Sequence, residues 1–161
     1  MNRSRKLVIA DLMSVFADSR IPLASLQHLQ ANADRLIRRK FDDGRGGKCI
    51  FGLLSEPFTE QPQIDCRTAL IAFYGGDELA THYQPARALV RLWDARPADP
   101  VVLERYGSNV APLSRRLVLR VLRKAIRRRQ AGLRSRSGAR LISRAGSTAG
   151  RRTSEPLSVC S

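Results

Sequence analysis

The stretch SRRLVLRVLRKAIRRRQA, residues 114–131, decides the fold. Leu117, Val118, Val121, Leu122 and Ala125 recur at three- and four-residue steps, and Leu119 and Ile126 widen the apolar face they form. Arg116, Arg120, Arg123, Lys124 and Arg127 spread over the rest of the surface. That pattern predicts an amphipathic helix from Arg115 to about Ala131, with Ser114 placed to cap it. Its apolar face needs a core, so the remaining chain must supply one.

Working back toward the N-terminus, Arg96-Pro97-Ala98-Asp99-Pro100 reads as a turn, a cap and a favourable first helical position, predicting a helix Val101–Tyr106 closed by Gly107. Leu79 to Ala95 reads as helix, with Pro85 kinking it or opening a second segment that carries Ala88, Leu89, Leu92 and Trp93. Trp93 reads as a core residue. Asp65 caps a predicted helix Cys66–Tyr74 that stops at Gly75-Gly76, and residues 55–63 form an irregular connection. Cys49 to Leu54 is a short apolar run that periodicity leaves open between a buried strand and a helical turn. Leu23, Leu26, Leu29, Ala33, Leu36, Ile37 and Phe41 predict one helix of about five turns, ended by Asp42-Asp43-Gly44. A first helix runs from about Leu7 to Phe16 and stops near Asp18–Arg20. The expected fold is all-α: a small single-domain bundle of five or six helices over residues 5–131, with a disordered basic tail over 132–161.

The 161 residues suit one core, and 43% apolar with 27% charged content excludes wholly disordered and membrane classes. The net charge of +15 is local. Residues 1–100 hold 14 Lys/Arg against 12 Asp/Glu, whereas residues 101–161 hold 15 against 2, with no acid between Glu104 and Glu155. Past Gly132 there is no aromatic residue and little to bury, hence the expected disorder. Cys49, Cys66 and Cys160 form neither a disulfide framework nor a zinc ribbon. Leu7–Ala10 is too short and too soon broken by Asp11 for a signal peptide, and no run approaches a membrane span. The expected location is cytoplasmic.

The basic helix is the strongest functional signal. Guanidinium forks pair with phosphate oxygens and displace condensed counterions, so the expected function is non-enzymatic nucleic-acid binding, DNA or RNA undecided. The residues expected to contact the backbone are Arg115, Arg116, Arg120, Arg123, Lys124, Arg127, Arg128 and Arg129. Two alternatives use the same helix: docking on an acidic protein partner, or peripheral attachment to a membrane. No metal and no cofactor is expected. His28, Cys49, Cys66 and His82 lack the close pairs of a zinc site. Gly44, Gly46, Gly47 and Lys48 miss the pattern of a phosphate-binding loop at Asp42 and Cys49, and read as a turn. Gly75-Gly76-Asp77-Glu78-Leu79 resembles the signature of the diguanylate cyclases, where a glycine hairpin makes room for the nucleotide and an acid helps hold a metal. The likeness covers those five residues, ends in Leu79 where the family has Phe, and lacks the family's upstream segments. The residues themselves read as a helix stop followed by Asp77 as an N-cap.

Overall fold

The computed structural model describes residues 2–40, 42–57 and 84–146. Among them the regular structure is helical, as the spacing predicts: α1 (Arg3–Ala17), α2 (Leu23–Ala31), α3 (Ile50–Ser55), α4 (Gln84–Trp93), α5 (Pro100–Tyr106) and α6 (Arg115–Gly146). The predicted helix Cys66–Tyr74 and the Gly75–Leu79 signature lie outside the described residues. The chain divides into two units, Met1–Arg129 and Gln130–Ser161.

In the first unit, α1 begins four residues before its apolar pattern does, because the Asn2 side chain accepts from the Ser4 N–H at 3.2 Å. Val8, Leu12, Val15 and Phe16 then form its buried face. Asp18 ends it and binds Arg20 at 2.8 Å through both backbone and guanidinium. Pro22 opens α2, which buries Ser25, Leu26 and Leu29, and the Ser25 hydroxyl donates to the Leu54 carbonyl.

The five-turn helix predicted over 23–41 does not form. α2 stops at Ala31, where the Asn32 side chain donates to the His28 carbonyl at 2.9 Å, and a single 3-10 turn, Ala33–Arg35, follows. The chain then runs beside Lys48, with Ile37 N–H donating to Lys48 O at 3.0 Å and Lys48 N–H to Arg35 O at 3.1 Å. Leu36 is buried in the core by this path. Helical spacing of Leu36 and Ile37 was therefore compatible with a second backbone whose hydrogen bonds are supplied from elsewhere. Residues 42–48 fold back as a tight turn. Gly44 and Gly46 have φ of 72° and 94°, and a Cβ on Gly47 would meet Asp43 Oδ2 at 2.6 Å and Ile37 Cγ2 at 2.8 Å.

Cys49–Leu54 resolves as helix: Cys49 caps α3 through its sulfur, and Ile50, Phe51, Gly52, Leu53 and Leu54 are all buried. A helix apolar on every side belongs inside a core. Pro85 stands in the first described turn of α4, and residues 79–83 of the helix predicted over Leu79–Ala95 lie outside the described residues. Ala88, Leu89, Leu92 and Trp93 face the core from α4. α5 is built as its sequence predicts, with Asp99 accepting from the Val101 N–H at 3.0 Å, Pro100 in its first turn, and Gly107 at φ 79° closing it. Phe16, Ile21, Leu26, Leu29, Leu53, Leu54, Leu92, Leu113 and Leu122 are fully enclosed in one core.

In the second unit, residues 130–146 continue α6 past the point where disorder was expected. Leu133, Leu141 and Ile142 are exposed there, and the Ser137 hydroxyl donates back to Leu133 O at 3.1 Å. The rest of the tail expected to be disordered, 147–161, lies outside the described residues. Residues 132–146 contain no proline, and adding a residue to an existing helix gains a hydrogen bond without a new nucleus.

Candidate nucleic-acid interface

α6 starts where the Ser114 hydroxyl accepts from the Leu117 N–H at 3.2 Å. Val118, Val121, Leu122, Ala125 and Ile126 are buried, and Leu117 and Leu119 pack half-buried against the same core. Most of the apolar face between 115 and 129 is thus taken up by the protein's own core. Arg116, Arg120, Arg123, Lys124, Arg127 and Arg128 are all exposed on the opposite side. At 100° per residue, Arg116, Arg120, Arg123 and Arg127 fall within an arc of about 60°, and from Arg116 to Arg128 the helix rises about 18 Å. Lys124 and Arg128 broaden that stripe along one edge.

The other two expected contacts have structural work. Arg115 Nη2 donates to the Leu36 carbonyl at 3.0 Å. Arg129 is half-buried and donates to the Ile21 carbonyl, with burial pulling its guanidinium below its usual pKa. Both tie α6 to the segment 21–36, which leaves six exposed cations on the helix without such a bond to a described residue.

Elsewhere in the first unit some cations sit on carboxylates: Arg35 on Glu56 at 2.6 Å, Arg105 on Asp11 at 2.6 Å, Lys48 on Asp42 at 3.2 Å and Arg91 on Asp99 at 3.3 Å. None of the six exposed cations of α6 is paired with a described residue. They repel one another. Arg116–Arg120, Arg120–Lys124, Arg123–Arg127 and Lys124–Arg128 are four like-charge pairs at i, i+4, each destabilising by about 0.2–0.5 kcal/mol. Burial of the opposite face holds the array together against roughly 1–2 kcal/mol of self-repulsion. An ordered row of anions laid on the face reverses the sign of that term.

The remaining candidates find other partners. Asp42 Oδ1 accepts from Gly44 N–H at 2.7 Å, and Asp43 Oδ1 accepts from Arg45 and Gly47 N–H at 2.8 and 2.9 Å. The amides a phosphate would use in that loop are already bonded to the loop's own carboxylates. The Gly44 amide and Lys48 hold Asp42 below the usual carboxylate range. His28 Nε2 lies 3.0 Å from Glu56 and its Nδ1 3.3 Å from Asn32. Arg35, and after it His28, lower Glu56 to about 2. Among the described residues no three His, Cys, Asp or Glu side chains gather as a metal would need, and Cys66 and His82 lie outside them.

Sequence reading missed a carboxylate buried in the core and an exposed arginine laid over its rim. Asp11 is buried, accepting from Arg105 Nε at 2.6 Å, Arg105 Nη2 at 2.7 Å and the Tyr106 hydroxyl at 2.7 Å. The carboxylate raises Arg105, while burial, helped by Asp11, raises the Tyr106 hydroxyl. The signal was available: Asp11 stands three residues after Val8 and four before Val15, on the face that must be buried. The second is Arg38, whose guanidinium lies 4.2 Å from the centroid of the Trp93 ring and donates to the carbonyls of Trp93 and Leu113, the latter at 3.0 Å. Trp93 is core, as expected, and its Nε1–H donates to Ile37 O at 2.8 Å.

The fold and this face together define a class: an all-α protein with a row of exposed cations on one helix, none paired with a described residue. No family profile, curated protein or solved structure matches the chain. No helix among the described residues is long and apolar enough to cross a membrane.

Proposed function

We propose that the chain binds nucleic acid without catalysing a reaction on it, by laying the phosphate backbone along the exposed face of α6. The observation that carries this reading is the concentration of charge: Arg116, Arg120, Arg123, Lys124, Arg127 and Arg128 stand exposed along one surface of a helix whose sequence holds no acidic residue, and none of them is paired with a described residue. Such a face neutralises phosphates and releases counterions, which supports affinity but carries no sequence readout. The test is binding of the full chain to duplex DNA and to RNA across a salt series. The expected result is a steep linear fall of log K with log salt. Absence of binding at the lowest salt overturns the proposal, and an acidic protein partner for the same face becomes the reading to pursue.

A further inference from the structure

The first turns of α1, the connection 109–114 and the start of α6 enclose a cleft of about 380 Å³, at the small end of ligand sites. Its walls are mixed. Arg5, Asn2 and Asn109 supply polar groups, and Val8, Val110 and Leu117 supply an apolar surface. No carboxylate is among the described residues that line it. The side chains of Arg5 and Asn109 make no hydrogen bond or ion pair with any described residue. Ser114 and Leu117 bring the first turn of α6 to the cleft, and Arg116 and Arg120 of the cationic stripe stand one residue before and three residues after Leu117.

Convex and concave surfaces select different states of a nucleic acid. A duplex can lie along α6 with its bases stacked inside, but only an unpaired base can leave the stack and enter a cleft. Inside, a guanidinium suits a phosphate, an amide offers donor and acceptor to a base edge, and aliphatic side chains cover a base face. We infer that the cleft takes one unpaired nucleotide of a strand whose neighbouring phosphates lie on α6, making single-stranded nucleic acid the preferred partner. This rests on the α6 interface proposed above.

The test compares full-length protein and point variants on single-stranded RNA and DNA of one sequence and on the corresponding duplex. Arg5→Gln and Arg3→Gln each remove one charge from an exposed position of α1, but only Arg5 lines the cleft. Asn109→Ala changes no charge. Asn109→Ala is expected to weaken single-strand binding about 5- to 10-fold and to leave duplex binding within about twofold, and Arg5→Gln to weaken single-strand binding clearly more than Arg3→Gln. Single-strand affinity within about twofold of wild type for Asn109→Ala, or equal effects of the two arginine variants, overturns the cleft. In that case loss of binding on altering α6 alone leaves the backbone-contact reading standing. A wild-type chain that binds neither strand nor duplex removes both.

Discussion

Replacing Arg120, Arg123 and Arg127 together by Gln separates a working surface from a merely solvated one. With six exposed cations each neutralising one phosphate, duplex binding has a slope of about −5.4 in log K against log salt. Affinity then falls roughly 2,000-fold from about 50 to about 200 mM salt. The triple variant keeps three cations, so its slope drops to about −2.7 and the same salt change costs only roughly 40-fold. Stability moves the other way. Three of the four i, i+4 repulsions disappear, and Gln is about as good a helix former as Arg, so unfolding free energy rises by about 0.5–1.5 kcal/mol. The assays are fluorescence anisotropy over a salt series and urea unfolding followed by circular dichroism. A variant that is more stable yet binds with a halved slope has lost a functional surface. An unchanged slope refutes the reasoning, because the stripe would then not be where phosphates lie.

Asp11→Ala leaves the partly buried Arg105 without its carboxylate and removes the acceptor of Tyr106, so urea unfolding should show a loss of about 3 kcal/mol, and a loss under about 1 would mean that solvent replaces the pair. Gly47→Ala pushes a methyl into Asp43 and Ile37 and should lower stability by about 1–2 kcal/mol; a neutral effect by the same assay means the turn opens at no cost. Because the folded-state pKa of Glu56 is lowered to about 2, its ion pairs contribute fully above its unfolded value and fade as pH falls from about 4.5 toward about 2. Partial exposure limits this to about 1 kcal/mol. Glu56→Gln should flatten the stability profile in that window, and an unchanged acid limb would show that the pairs contribute nothing.

Much of this molecule is written locally. Asp99-Pro100 with Gly107 delimits α5, Ser114 starts α6, and the period of Val118, Val121, Leu122 and Ala125 marks the buried side and so, by subtraction, the cationic face. Caps and periodicity involve neighbours within a turn, so the chain's own order is enough to specify them. Tertiary structure decided what depends on distant partners. The break at Asn32 follows from Lys48 taking the backbone bonds of residues 35–37 and from Leu36 entering the core; its apolar spacing fits helix equally well. Arg115 and Arg129, indistinguishable in sequence from their neighbours, are drawn off by the carbonyls of Leu36 and Ile21. Arg105 meets Asp11 across 94 residues. The sequence alone set which side of α6 is charged. Only the packing of residues remote in the chain determined which of those charges are drawn onto described partners, because a guanidinium is occupied by the carboxylates and carbonyls that folding brings to it.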